Sequence, residues 1–417
     1  MSTPLGPLAC KPAPSGPMVG AVSVMAINGG SSSIRFALFE HREPQRLVLR
    51  GKVDRVGLGG TRLTAVNADG KPLTDQDIDA ADRRTVLGVL MDWLESQPAC
   101  ASVAAVGHRV VHGMAHSEPE QVTPALLDEL RRISPFDPEH LPREIELIET
   151  IQHRHPTWPQ VVCFDTAFHH TMPRVAKLLP IPRRYDAMGV RRYGFHGLSY
   201  QYLMGELLRC GDPAAVNGRV ILAHLGNGAS LAAVRDGTSI DTSMGFTPAS
   251  GLMMSTRAGD LDPGLAYFLA RTEKMNAEQF QRLVNDESGL LGVSGISSDV
   301  RDLLAQEATD VRAAEALGLF CYQAKKWIGA FAAALAGLDT LVFAGGIGEN
   351  APLIRERVCE GLGYLGIRLN KSRNAENATL ISMDDAPVRV RVIRTDEELT
   401  IARSTSRLLT LRRILEP

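Results

Sequence analysis

The chain has 417 residues, of which 44% are hydrophobic and 22% charged, with a formal net charge of −2. That length exceeds what one hydrophobic core usually supports, so two domains are expected. With no basic stripe and no acidic tail, the sequence argues against nucleic acid and membrane surfaces as partners. Any anionic ligand has to be gathered by a few local cations.

Residues 1–20 carry Pro and Gly where a signal peptide needs an unbroken apolar run, and they read as a flexible extension. Ala21–Ile27 is an apolar run that stops at Asn28-Gly29-Gly30-Ser31-Ser32-Ser33, and an alternating run, Ile34–Phe39, follows. This is the pattern of a β-hairpin with an oversized Gly/Ser turn. Helical patterns come next at Asp82–Ser96 and Pro124–Ile133, with strands at Val103–His112 and Gln160–Phe164. The hairpin pattern then returns: Arg219–Leu225 leads into Gly226-Asn227-Gly228-Ala229-Ser230, then Leu231–Val234 and a turn at Asp236-Gly237. Aligning Ser33 with Ser230 superimposes the two units, with Ile34 on Leu231, and such a repeat suggests two related α/β halves.

Further helices are expected at Pro263–Ala270, Ala277–Asn285 and Asp310–Ala336. Leu338–Ala344 is a strand running into Gly345-Gly346-Ile347-Gly348-Glu349-Asn350, with a helix after it. A last strand, Val388–Ile393, precedes Thr395-Asp396-Glu397-Glu398 and a closing helix. The longest apolar region, Trp327 to Ala344, is broken by Gly329, Gly337 and Asp339, too often to span a bilayer unaided. Six scattered cysteines with no CxxC pair suit reduced thiols and argue against a disulfide frame or a zinc site. A soluble, cytoplasmic protein is expected.

Several of these segments suggest chemistry. Gly/Ser-rich hairpin turns present backbone N–H groups to phosphate oxygens, and Arg35 adds a charge beside the first. Either turn alone reads equally well as an ordinary tight turn; their recurrence favours a polyphosphate held between two lobes. In the strand that contains GHRVVHG, alternation puts Arg109 and Val111 on one face and His108 and His112 on the other. An Arg beside a small apolar side chain suits a carboxylate with a short alkyl tail, although a structural ion pair is the plainer reading. Arg257 sits in a loop bounded by Gly251 and Gly259, followed by Asp260 and Asp262, which either pair with it or cap the next helix. His196 lies in Tyr193-Gly194-Phe195-His196-Gly197. Asp165 ends an apolar strand, where ligands commonly meet α/β sheets, or else it caps a helix. Glu397 and Glu398 favour a helix N-terminus, or hold Mg²⁺ near phosphates. Neither a P-loop nor a Rossmann glycine pattern is present.

Together the segments NGGSSS, GHRVVHG, FDTAFHHTMP, RRYGFHGLS, HLGNGAS, GLMMSTRAGDLDPG, SGLLGVSGISSDVRD, FAGGIGEN and TDEELTIA closely resemble the acetokinase family, the acetate, propionate and butyrate kinases, of the sugar kinase, Hsp70 and actin superfamily. They stand in the family's order from residue 22 onward. The resemblance implies an α/β fold of two duplicated actin-like (ribonuclease H-like) domains with mixed central sheets, closing over an interdomain cleft, in a homodimer. One lobe would comprise residues 21–168 with 398–417, the other residues 169–397 with the nucleotide site.

It also implies Mg²⁺- or Mn²⁺-dependent transfer of the ATP γ-phosphoryl group to acetate, giving acetyl phosphate and ADP. A propionate or broader short-chain acid kinase is the alternative, and an actin/Hsp70-type nucleotide switch a second. The resemblance assigns Arg109 and Arg257 to the carboxylate and the transferring phosphoryl group, Asp165 as catalytic carboxylate and His196 as transition-state donor. Asn28 and Glu397 would lie at the metal, with Ser31, Ser33 and Arg35 close by. His224, Leu225, Gly226, Asn227 and Gly228 would hold the β/γ-phosphates. Asp299, Val300 and Arg301, with Gly346, Ile347, Gly348, Glu349 and Asn350, would line the adenosine pocket. Val111, Phe136, Phe195 and Pro248 would enclose the acyl group.

The chain departs from the family at Arg35, where Lys is usual, and at Ala249-Ser250, Ser255 and Ala258. It departs again at Pro135-Phe136-Asp137-Pro138, where the family's histidine is missing or displaced to His140. These changes bear on acyl-chain preference and rate more than on reaction type.

Overall fold

The structure, a computed structural model, describes residues 22–30, 33–56, 59–79 and 82–415, with side chains as far as residue 410. The expected extension at residues 1–20 and Ser31 lie outside the described residues. The first sheet begins with the hairpin of β1 (Ser23–Gly29) and β2 (Ser33–Glu40), paired antiparallel so that Ile27 faces Phe36. Every residue of β1 is buried, as its unbroken apolar run requires for a central strand covered on both faces. Next along the chain come β3 (Arg46–Asp54), β4 (Thr61–Asn67), β5 (Pro72–Ile78), β6 (Val103–Val110), β7 (Glu120–Gln121) and β8 (Gln160–Phe164). The sheet order is β5-β4-β3-β2-β1-β6-β8-β7. The second sheet contains β9 (Arg219–Leu225), β10 (Ala229–Arg235), β11 (Thr238–Thr242), β12 (Thr340–Ala344) and β13 (Arg389–Val392), in the order β11-β10-β9-β12-β13.

The two sheets share one plan. In the first, β3, β2 and β1 form an antiparallel meander, and β6 and then β8 join β1 in parallel. In the second, β11, β10 and β9 form the meander, and β12 and then β13 join in parallel. The repeat read from the two hairpins is therefore a repeat of a whole five-stranded unit. The strands β4, β5 and β7 are additions to the first copy.

Two helices fix the layers. Helix Val311–Leu335, capped by Asp310, which accepts from Arg312 N, lays Leu317, Phe320, Ile328 and Phe331 against the second sheet. Helix Glu397–Leu415 crosses β1 and β6 of the first sheet. It approaches so closely at Gly107 that a Cβ there would meet Thr405 Oγ1 at 2.2 Å and Ile401 Cγ2 at 2.5 Å. That contact sets the height of Glu397 and Glu398 at the helix's first turn. No helix among the described residues is long and apolar enough to cross a membrane.

The elements expected from the sequence occur to within a residue or two at either end. Strand β6 stops at Val110 rather than His112, and Val111 N is bonded to a side chain instead of the sheet. The run Gly345–Asn350, read as a turn before a helix, is itself a short helix, followed by helix Pro352–Cys359. Sequence patterning missed β3, β4 and β5, because their outer residues are solvated and charged and β5 buries only Ile78. It also missed helix Leu141–Arg154, which carries Pro142 in its first turn, and helix Gly197–Arg209, whose N-cap His196 is left-handed at φ 60° and makes no side-chain cap.

Replacing Gly107 with Ala should push the closing helix off β6 and lower folding stability by roughly 1–3 kcal/mol. Denaturant unfolding measures this, and an unchanged midpoint would refute the close packing as the reason for the glycine.

Candidate active site

The turn after β1, the ends of β6 and β8, the β9–β10 turn and the first turn of the closing helix meet at one cleft of about 1130 Å³. Its lining includes Asn28, Ser33, Arg35, Arg109, His196 and His224. Gly226, Asn227, Gly228, Asp299, Val300, Arg301, Gly346, Ile347, Glu349, Asn350 and Glu397 line it as well. Leu225 and Gly348 are buried behind this wall.

Arg109 is the centre. Its Nη2 donates to Asp165 Oδ2 at 2.8 Å and its Nη1 to Asn28 Oδ1 at 3.5 Å. Asp165 is fully buried and has its oxygens filled: Oδ2 also accepts from His196 N at 2.9 Å, and Oδ1 accepts from Leu198 N at 3.3 Å. It thus pairs with Arg109 and caps helix Gly197–Arg209 at once, as the helix-cap reading has it. A Cβ at Gly197 would lie 2.2 Å from the Asp165 carbonyl oxygen, so only glycine fits there. Burial opposes the charge on Asp165, but Arg109 and the two N–H groups outweigh it and hold the carboxyl below its usual range. Burial likewise opposes the Arg109 charge, and Asp165 and Glu397 outweigh it, raising its pKa.

His196 is held from both sides. Its Nδ1 bonds Ser230 Oγ at 2.8 Å, Ser230 in turn bonds Tyr200 Oη, and its ring stacks on His224 at 4.3 Å between centroids. His224 Nδ1 is bonded to Ser199 Oγ at 2.8 Å. Burial, then His224 and the two arginines, pushes His196 well below its ordinary value, so the ring is neutral at pH 7. Its Nε2 lies 3.2 Å from the position a Gly228 Cβ would take, and Arg257 Nη1 lies 3.7 Å from the same point. Arg257 donates to Pro248 O at 3.3 Å, and burial lowers its pKa. Asp260 and Asp262 do not pair with it: Asp260 accepts from Gly251 N and Asp262 from Gly264 N. Arg109 from the first half, bound to the Asp165 oxygen that also accepts from His196 N, and Arg257 from the second, beside Gly228, both act on the His196 ring.

At the metal end, Asn28 Nδ2 donates to Glu397 Oε2 at 2.7 Å and to Glu398 Oε1 at 3.2 Å. Burial, then the charge of Glu397, raises the Glu398 pKa. Arg35 is exposed on the cleft wall. At the adenosine end, Asp299 caps helix Val300–Gln306 and pairs with exposed Arg301. Glu349 Oε1 accepts from Gly345 N and Thr395 N, tying the glycine helix to the last strand's exit. The buried Arg355 donates to Gly348 O, Glu349 O and Asn374, and so holds this helix from below.

The apolar group lies outside the cleft lining. Val111 and Phe195 are buried, Phe136 is partly buried, and the ring of His112 packs against Phe136 at 5.9 Å and Phe195 at 5.8 Å. Pro248 joins through its carbonyl on Arg257. His140, the alternative place for the family histidine, is buried with Nδ1 on Asp137 Oδ1 at 2.8 Å. Residues that the sequence reading missed are mostly supports: Tyr200, Ser230, Ser199 and Arg355. Only their partners, distant in sequence, reveal them. Glu144 was missed too. It lies in the first turn of helix Leu141–Arg154, where an acid reads as a dipole partner, yet it is buried with Oε2 on Val111 N at 3.0 Å.

A doubled fold closing on two partly buried arginines, a neutral histidine and a glycine turn defines a phosphotransferase cleft. Residues 23–403 match the model of the acetokinase family. An acetate kinase of Rhodopseudomonas palustris is 45% identical over 392 residues, covering 92% of this chain and 98% of its own. A propionate kinase of Citrobacter rodentium is 42% identical over 393 residues, covering 92% and 96%. The crystal structure of Porphyromonas gingivalis acetate kinase superimposes with a TM-score of 0.84 at 36% identity, over 93% of this chain and 100% of that one. The chain belongs to the acetokinase family.

Glu144 supplies a pH signature. Burial is the main cause that pushes its carboxyl up to about 8 from 4.5, against the pull of Arg109. A raised folded-state value favours the fold fully below about 4.5 and loses that contribution as pH rises through about 8. Glu144→Gln should therefore gain stability relative to the parent between about pH 6 and pH 8, by on the order of 2 kcal/mol, and level off beyond. Chemical denaturation across that range checks it, and parallel curves for the two proteins would contradict it.

Proposed function

We propose that this cleft carries out reversible, Mg²⁺-dependent, in-line transfer of the ATP γ-phosphoryl group to acetate, giving acetyl phosphate and ADP. The chain is an acetate kinase, a phosphotransferase with a carboxyl group as acceptor. The observation that carries the reading is that Arg109 and Arg257, from different halves, both bring positive charge to bear on His196, with Arg257 beside the Gly228 turn. A carboxylate nucleophile is already ionised at neutral pH, so no strong base is required. The obstacle is bringing an anion to a triphosphate, which positioned cations and donors overcome.

In this reading Arg109 receives the acid's carboxylate, and Val111, Phe136, Phe195 and Pro248 enclose its methyl group. The β/γ-phosphates lie on His224, Leu225 and the Gly226–Gly228 turn, with Ser33 and Arg35 opposite. Adenosine lies between Asp299–Arg301 and Gly346–Asn350. The acid oxygen forms a bond to Pγ as the bond from Pγ to the bridging oxygen breaks, and Arg257 balances the charge on the equatorial oxygens. We assign the chain Tyr200 O–H to Ser230 Oγ to His196 Nδ1, which leaves a proton on Nε2 to donate to those oxygens. Asp165, with its oxygens filled, acts by holding Arg109 and the His196 backbone in place.

The metal end fits Mg²⁺ or Mn²⁺. Two neighbouring carboxylates, Glu397 and Glu398, share one Asn28 amide, and burial, then the charge of Glu397, raises the Glu398 pKa. No cluster of three or more acidic, Cys or His side chains occurs among the described residues, which suits an ion that takes one or two protein groups plus phosphates and water. Asn28 and Glu397 would hold it, and when bound it neutralises phosphate charge.

The lobes would be residues 21–168 with 398–417, and residues 169–397, each built on one sheet. A cytoplasmic homodimer completes the proposal: Tyr267, Phe268 and Tyr322 are 71%, 59% and 59% exposed, apolar surface that a second copy would cover. Sedimentation should give twice the 45.2 kDa chain mass, and a monomer at micromolar concentration would remove the dimer.

Arg109→Ala and Arg257→Ala should each lower acetyl hydroxamate formation by about 10²–10³-fold with the fold intact by circular dichroism. Near-normal turnover in either would sink the mechanism. Among acetate, propionate and butyrate, acetate should have the highest kcat/KM, and Val111→Ala should shift the ratio toward propionate by about tenfold.

A further inference from the structure

Two buried polar atoms of side chains that interact electrostatically lack a hydrogen-bond partner: Arg109 Nε, a donor, and Glu144 Oε1, an acceptor when ionised. Arg109 uses its two Nη atoms on Asp165 and Asn28, and nothing receives its Nε–H. Glu144 is 3% exposed, on the buried face of helix Leu141–Arg154. Its Oε2 accepts from Val111 N at 3.0 Å, just past the end of β6, and its Cγ lies 3.9 Å from where a Gly29 Cβ would stand. The carboxyl therefore sits beside the ends of β1 and β6, bonded two residues along the chain from Arg109. Burial is the largest influence on it and disfavours the charge; Arg109 is the largest that favours the ionised form, and Asp137 and Asp165 add to the effect of burial. Arg83, at the start of helix Arg83–Ser96, also interacts with it.

An unmatched buried charge is costly, and a buried donor without an acceptor costs about 1–3 kcal/mol. The unmet Nε–H and the unmet carboxyl oxygen are complementary, and a turn of the guanidinium would bring them together. Catalysis supplies such a turn, because Arg109 has to move Nη1, held at 3.5 Å on Asn28 Oδ1, toward the substrate anion while Nη2 keeps Asp165.

We propose that Glu144 is a positioning residue: it receives the Arg109 Nε–H when the guanidinium turns to the acid substrate, and through Val111 N it fixes the adjoining wall of the acyl pocket. The proposal rests on the reading of Arg109 as the group that meets the substrate carboxylate. It makes Glu144 act on the acid side of the reaction and not on the nucleotide side.

The test is steady-state kinetics with ATP, Mg²⁺ and acetate, each substrate varied in turn. Glu144→Leu should raise the KM for acetate about tenfold and leave the KM for ATP within about twofold. Glu144→Gln keeps one acceptor oxygen but cannot ionise when the Arg109 Nε–H turns to it, and should raise the acetate KM about threefold. If the Leu variant does not fold, the Gln variant decides alone. An unchanged or lowered acetate KM overturns the proposal, and so does a rise of equal size in both KM values. Arg109→Ala run alongside separates the two claims. If it is inactive while both Glu144 variants behave like the parent, only Glu144 loses its role. If it is fully active, the reading of Arg109 falls first.

Discussion

The Arg109–Asp165 ion pair is the constraint on which the rest of the site depends. Arg109 stands on β6, Asp165 just beyond β8, and the N–H groups that complete Asp165 begin helix Gly197–Arg209. Three separate segments are thereby joined at one buried carboxylate. Removing either partner would leave an uncompensated charge in the interior, which is far costlier than losing a surface pair. The pair also explains the left-handed His196: its N–H is fixed on Asp165 and its ring on Ser230, so a backbone conformation that costs energy in isolation is determined from both ends.

Around that pair, duplication creates the cleft. The same order of five strands in both halves brings a glycine-rich β-hairpin turn to the same end of each sheet. One presents Asn28 and Ser33, the other Gly226, Asn227 and Gly228. Parallel strands on the far side of each hairpin, β6 and β8 in one half and β12 in the other, deliver Arg109, Asp165 and the Gly345–Asn350 helix to the same space. Ligands meeting α/β sheets at the carboxyl ends of strands is a general consequence of where loops can diverge. Here it happens twice, face to face.

The supporting shell differs between the two ends of the cleft. The nucleotide end is held by backbone and one buried arginine, Arg355, whose donors reach the carbonyls of Gly348 and Glu349. The acid end is held by side chains with alternative partners: Arg109, Glu144, Asp137, His140 and His112. Two of these, His112 and Asp137, also keep a buried atom without a partner, at Nε2 and Oδ2. Side chains with spare hydrogen-bonding capacity can rearrange around a small acid, whereas the phosphates need a fixed cradle.

Much of this was legible in the chain itself. Apolar runs and glycine turns located both hairpins, because buried central strands and tight turns have local requirements of period and φ that few sequences meet by accident. Ordered motifs placed Arg109, Asp165, His196, Arg257 and the glycine turns. What the sequence could not show were the features created by contact at a distance. Strands β3 to β5 are half-solvated and read as polar chain; Gly107 is glycine only because Thr405 and Ile401 press on it; Glu144 looks like a helix-end acid until burial changes its charge. Local propensity and motif identity travel with the residues that carry them. The pairing of charges, the close approach of helix and sheet, and the burial that alters a carboxyl belong to neighbours scores of residues away, and only the tertiary fold brings those neighbours together.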